Sequence, residues 1–129
     1  MIVRIAVAED FLPLRELLEL RFGMLDDIEL VGSAQDGPEA LALVAEVQPD
    51  VLLLDLSLPG MNGQTVITEV RRHHPSVDIV VLTGAATADV RQRALDAGAT
   101  ACLVKTPDVI GAVIETVRMI GRRRANLPR

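Results

Sequence analysis

Apolar and polar positions along the chain divide it into ten segments of two alternating kinds. Ile2 to Ala8 is a β-branched, apolar run ending at Glu9-Asp10, the pattern of a buried strand. Pro13 suits the first turn of a helix whose inward stripe is Leu14, Leu18, Phe22 and Leu25, broken at Asp26-Asp27. Leu30 to Ala34 is a short second strand, expected at a sheet edge. Asp36-Gly37-Pro38-Glu39 starts a second helix, with Ala40, Leu41, Val44 and Ala45 inward and Pro49 as its stop. Val51 to Leu54 runs without a polar break into Asp55, and Pro59-Gly60 forbids continuation. That pattern predicts a strand covered on both faces. A third helix buries Val66, Ile67 and Val70 and closes at His73-His74-Pro75. Ile79 to Leu82 is a fourth strand ending at Thr83-Gly84. A helix follows from about Thr87 to Ala97, with Val90, Ala94 and Leu95 inward and Gly98 as a left-handed cap. Ala101 to Val104 is the fifth strand, ending at Lys105, and Asp108 caps a last helix striped by Ile110, Val113, Ile114 and Val117.

Five strand–helix units in strict alternation require right-handed crossovers and a parallel sheet with helices on both faces. The predicted fold is α/β: a flavodoxin-like (βα)5, doubly wound five-stranded parallel sheet of order 2-1-3-4-5. In such sheets ligands bind beyond the carboxyl ends of the strands, at the switch point between the first and third. The polar residues on that rim are Glu9, Asp10, Asp55, Thr83 and Lys105.

Composition narrows the class. The chain has 129 residues, enough for one domain with its own core. Only Phe11 and Phe22 are aromatic, so the core is aliphatic. Cys102 is the single cysteine, which excludes an internal disulfide and a cysteine-based metal cluster. It is expected to be a small buried hydrophobe. There is no membrane-length apolar run and no secretory signal at the start, so a cytoplasmic location is expected. The net charge is −5, unevenly spread: residues 118–129 hold five arginines and no acid. The acidic remainder makes direct DNA binding by these residues unexpected. The expected domain is 1–121, with 122–129 as a basic tail or the start of a linker.

Three carboxylates on one rim raise one another's pKa unless a counter-charge is present. A Mg2+ ion supplies it, since it prefers oxygen ligands and often bridges carboxylates to a phosphoryl group. Thr83 and Lys105 offer donors for phosphoryl oxygens, and Asp55 can be the nucleophile that forms an aspartyl phosphate. Lys105 is the only lysine among 13 basic residues. A compact ammonium at this one strand end suits a task that the arginine fork fills badly.

The set Glu9-Asp10, Asp55 with Leu58-Pro59-Gly60-Met61-Asn62-Gly63, Thr83 and Lys105 resembles a response-regulator receiver domain of two-component signalling from end to end. Val7-Ala8-Glu9-Asp10 and Leu30-Val31-Gly32-Ser33-Ala34-Gln35-Asp36-Gly37 are most similar to receivers joined to LuxR-type helix-turn-helix output domains. The resemblance implies that Asp55 is the phosphoacceptor and that Thr83 and Lys105 hold phosphoryl oxygens. It implies Mg2+ bound by Asp10, Asp55 and the Ser57 backbone carbonyl, with Glu9 acting through metal-bound water. A sensor histidine kinase would be the donor. An output domain or partner, controlling transcription, would read the fourth helix, fifth strand and fifth helix, with a phosphorylation-dependent homodimer as one outcome. Such a protein is a switch rather than a turnover enzyme.

Two features depart from the family's pattern. Cys102 stands at the switch position, where receivers usually carry Tyr or Phe, and Thr106 separates Lys105 from Pro107. Two other functions compete. A haloacid-dehalogenase-like phosphatase needs a second Asp two residues after its nucleophile, where this chain has Ser57. A phosphate-independent interaction module would not need the full acidic and Thr/Lys set. Each residue alone also has a bland reading: Asp55 as a turn residue, Thr83 as a cap, His73-His74 as a solvated helix end.

Overall fold

A computed structural model describes residues 1–85 and 87–127. Its elements alternate as the sequence pattern predicts. They are β1 (Val3–Ala8), α1 (Leu12–Gly23), β2 (Ile28–Ala34), α2 (Gly37–Val47), β3 (Val51–Asp55), α3 (Gly63–His73), β4 (Asp78–Thr83), α4 (Ala88–Ala97), β5 (Ala101–Val104) and α5 (Val109–Ala125). All strand pairs are parallel and the order is β2-β1-β3-β4-β5. This is the flavodoxin-like arrangement expected, with β2 at one edge and β3 in the centre. None of the described helices is long and apolar enough to cross a membrane.

The strand period of two sorts the core into two layers. Val3, Ile5, Val7, Val51, Leu53, Val80 and Leu82 pack with Leu18 and Phe22 of α1 and the inner face of α5. Ala6, Ala8, Leu52, Leu54, Ile79, Val81 and Cys102 pack on the other side with residues of α2, α3 and α4. Every residue of β3 is buried. A carboxylate that simply continues this strand therefore arrives at the rim on a backbone held from both sides.

Local chemistry sets the element ends. The Asp36 carboxylate accepts a hydrogen bond from Glu39 N at 2.7 Å, which caps α2. Asn62 and Thr87 cap α3 and α4 in the same way. Gly60 has φ +84°, a left-handed conformation that lets the loop after β3 turn back toward α2. There Pro59 O accepts from Gly37 N at 3.0 Å.

Two expected stripes are narrower than the pattern suggests. On α4 only Ala94 is buried; Val90 is half-buried and Leu95 is exposed. On α2, Ala45 faces solvent, while Leu43 and Val47 pack partly against the core. α5 runs to Ala125, four residues past the expected boundary at 121, and residues 128–129 of the expected tail lie outside the described residues. Its last turn is basic because it meets acids at the amino-terminal end of the sheet. Arg124 Nη1 is 2.8 Å from Asp78 Oδ2, and its Nη2 is 3.3 Å from Asp50 Oδ1. Arg123 Nη2 lies 2.7 Å from Asp78 Oδ1.

Burial alone would raise the Asp78 pKa, but Thr100, Arg123 and Arg124 outweigh it and lower the value below the ordinary one. A group depressed on folding contributes stability above its unfolded pKa, and that contribution is lost as pH falls through the folded value. Asp78→Asn is therefore expected to cost about 2 kcal/mol at neutral pH, the usual worth of hydrogen bonds to a charged group. In urea melts at stepped pH, the gap between variant and wild type should close below about pH 4. A gap that persists at acid pH would contradict this role.

Candidate functional site

The rim beyond β1, β3 and β5 brings the predicted acids and the lysine together. Glu9 follows β1 and is 1% exposed; Asp55 ends β3 and is 2% exposed. Asp10 lies at the surface beside them. One carboxylate oxygen from each of the three can be chosen so that all lie within 4.8 Å of one another. Lys105, just past β5, inserts its ammonium between the two buried acids. Nζ is 2.9 Å from Asp55 Oδ2 and 2.8 Å from Glu9 Oε1.

The strand alternation explains this convergence. Val7, Leu53 and Leu103 pack in the same layer, and Glu9, Asp55 and Lys105 each lie two residues further along. Backbone donors hold the acids in place. Ser57 N donates to Asp55 Oδ1 at 2.9 Å, and Phe11 N donates to Glu9 Oε2 at 3.1 Å. The ammonium hydrogen-bonds to Asp55, but its approach to Glu9 Oε1 is an ion pair without hydrogen-bond direction. Oε1 is thus a buried acceptor with no aligned donor.

The two buried acids divide one task. Burial, and then the Asp55 carboxyl group beside it, raise the Glu9 pKa. Burial also acts on Asp55, but the Glu9 hydrogen bond, the Ser57 amide and Lys105 outweigh it and lower the Asp55 value. Burial would lower the Lys105 pKa, yet the two carboxylates raise it. The lowered Asp55 and raised Lys105 values favour a carboxylate–ammonium pair, and Glu9 is the more readily protonated of the two buried acids.

A hard divalent cation fits this donor set. The ligands are all oxygen, one buried oxygen is unsatisfied, and Asp10 opens to solvent where a hydrated ion keeps its waters.

Thr83 is placed differently. It ends β4 next to the site, and its backbone carbonyl accepts from Lys105 N at 2.8 Å. Ile79 and Val81, two and four residues earlier on the strand, pack in the layer of α2 to α4, and Thr83 shares their parity. Its hydroxyl exchanges hydrogen bonds with the backbone of Ala85, each 3.3 Å long. Cys102 pairs with Val81 on β5 and is buried in that same layer. Burial raises its thiol pKa, in keeping with a small core residue. The Thr106–Pro107 peptide is trans, as no cis bond occurs among the described residues.

The family model described as "Response regulator receiver domain" matches residues 5–115. A Bacillus subtilis protein described as an uncharacterized transcriptional regulatory protein, YhcZ, is 39% identical over 103 residues, covering 80% of this chain and 48% of that protein. A Caulobacter vibrioides protein-glutamate methylesterase/protein-glutamine glutaminase is 34% identical over 110 residues, covering 84% of this chain and 32% of that protein. A LuxR-family two-component response regulator from Aurantimonas superposes with a TM-score of 0.86 at 25% identity, covering 93% of this chain and 85% of the other. The chain spans about half the length, or less, of the first curated relatives it matches.

Proposed function

The chain belongs to the response regulator receiver domain family, and from that premise we propose that it is a switch phosphorylated on Asp55. The observation that carries this reading is the lysine-bridged carboxylate pair with a third carboxylate beside it. Asp55 is ionised and pinned through one oxygen by Ser57 N, so it is pre-aligned as a nucleophile.

In the reaction, an Asp55 carboxylate oxygen attacks phosphorus. The bond from phosphorus to the donor breaks: to imidazole nitrogen in a phosphohistidine of a sensor kinase, or to the carboxylate oxygen of acetyl phosphate. The phosphohistidine ring, protonated on its other nitrogen, leaves as neutral imidazole, and acetate leaves as the carboxylate. Lys105 is placed to follow charge from the free carboxylate to the phosphoryl oxygens, and Thr83 becomes a second donor if its hydroxyl turns from Ala85. Asp10, Asp55 and the Ser57 carbonyl would hold Mg2+, with Glu9 acting through a bound water. The ion supplies charge neutralisation for the phosphoryl group.

The relatives carry the receiver within longer chains of unlike type, transcriptional regulators and methylesterases. The LuxR-family likeness favours a transcriptional output, read from α4, β5 and α5. On incubation with acetyl phosphate, intact mass should show one phosphoryl adduct that requires Mg2+ and is absent with EDTA. An unmodified chain that still binds Mg2+ and accepts no phosphoryl from any kinase would favour a phosphate-independent module instead.

A further inference from the structure

We propose that Arg15, in the first turn of α1, is a positioning residue for the acid pair Glu9 and Asp10, setting the directions in which they meet Mg2+. The assignment rests on the reading that these acids hold the ion. Nη1 of Arg15 donates to the backbone carbonyl oxygen of Glu9 at 2.9 Å. That oxygen and the Asp10 amide belong to one planar peptide unit. A donor that grips the oxygen therefore fixes the plane from whose two ends the Glu9 and Asp10 side chains leave.

The Glu9 carbonyl depends on this contact. β1 ends at Ala8, and the Glu9 amide is already used, donating to Ala34 O at 3.0 Å. Among the described residues no backbone amide donates to Glu9 O. Glu9 is 1% exposed, so without Arg15 its carbonyl would be a buried acceptor lacking a donor. The start of α1 thus holds this residue twice: Phe11 N donates to the carboxylate at Oε2, 3.1 Å away, and Arg15 takes the main chain. Lys105 pairs with the Glu9 and Asp55 carboxylates, whereas Arg15 grips the backbone between Glu9 and Asp10.

Arg15 is itself held in place. Its side chain is 12% exposed, and Nε lies 3.9 Å from Glu19 Oε1, one turn along α1. The same oxygen accepts from the Ser33 hydroxyl of β2 at 3.1 Å. A planar fork serves the Glu9 oxygen and Glu19 together, which a single ammonium cannot do. The contacts run from the edge strand through α1 to the peptide between the two acids. A bound ion orders the same acids directly, so the loss of Arg15 should be felt in Mg2+ affinity and recovered at saturation.

Titrating Mg2+ into isotopically labelled protein, with amide chemical shifts as the readout, tests this beside the acetyl phosphate rate at each Mg2+ concentration. Arg15→Met should raise the Mg2+ Kd about tenfold. Its rate at saturating Mg2+ should stay within about threefold of wild type, since the lost interaction is one of binding. A merely structural arginine would lower the urea midpoint and leave the Kd of the folded protein where it was. Arg15→Lys keeps a donor for the Glu9 oxygen and should weaken binding about threefold. It carries the test if Arg15→Met does not fold. Glu19→Gln should weaken binding about twofold, and add nothing in the Arg15→Met background. A Kd unmoved by either Arg15 substitution in folded protein overturns the assignment, as does a wild type that binds no Mg2+. The expected Kd shift in a chain that takes no phosphoryl group on Asp55 would sink the switch reading and leave Arg15 in its role. A normal adduct with an unmoved Kd would do the reverse.

Discussion

Asp55→Asn should abolish the phosphoryl adduct, a loss of about a thousandfold or more in rate. An amide oxygen carries no negative charge and forms no stable mixed anhydride with phosphate. The substitution is nearly isosteric, so the carbonyl can still accept from Ser57 N, which holds the turn after β3. Lys105 keeps its approach to Glu9 at 2.8 Å, so the rim retains one compensated acid. The fold should survive, with a urea midpoint near that of wild type. Intact mass after acetyl phosphate and Mg2+ gives the answer directly. An adduct of undiminished rate in Asp55→Asn would move the nucleophile elsewhere.

Lys105→Ala should have the next largest effect, and on two quantities. Phosphorylation should slow about a hundredfold to a thousandfold, the usual result of deleting one preorganised donor to developing charge. Stability without Mg2+ should fall by about 2 kcal/mol, because Glu9 and Asp55 are buried and lose the ammonium that lies between them. The figure is below the usual cost of breaking a fully buried pair because Lys105 keeps 26% of its side chain in water. Mg2+ should restore part of the stability by mass action but not the rate. Lys105→Arg should keep most of the stability and recover little of the rate, since a planar fork cannot follow the phosphoryl oxygens as a single ammonium does. A time course by mass and paired urea melts with and without Mg2+ separate the two effects. An unchanged rate in Lys105→Ala would remove the lysine from the chemistry.

The sheet and most of the rim were legible because both follow from local pattern. Continuous apolar runs at Val51–Leu54 and Ile79–Leu82 identify central strands, and strict alternation with helices leaves few topologies. The same period of two that buries Val7, Leu53 and Leu103 in one layer sends Glu9, Asp55 and Lys105 to one spot. Thr83 shows where the reasoning stops. Its position at a strand end is local information, but the exchange of hydrogen bonds between its hydroxyl and the Ala85 backbone depends on the course of the loop after β4. The basic end of α5 was hidden for a different reason. Arg124 finds Asp50 and Asp78 across 74 and 46 residues of sequence, and nothing near Arg122-Arg123-Arg124 announces acids at the base of the sheet. Helical periodicity likewise gives the direction of a stripe and not its width. α4 therefore buries Ala94 alone, and the outward row of Leu17, Leu20 and Met24 falls outside the inward stripe of α1.

The central claim is that Asp55 itself receives the phosphoryl group, and chemical mapping of the adduct tests it most directly. Borohydride reduces an acyl phosphate to the alcohol, so a phosphorylated aspartate becomes homoserine. After Mg2+-dependent phosphorylation and reduction, peptide fragmentation should find homoserine at position 55 and unmodified aspartate at 10, 26, 27, 36 and 50. Homoserine at any other position, or a phosphoryl group retained on His73 or His74, would contradict the account.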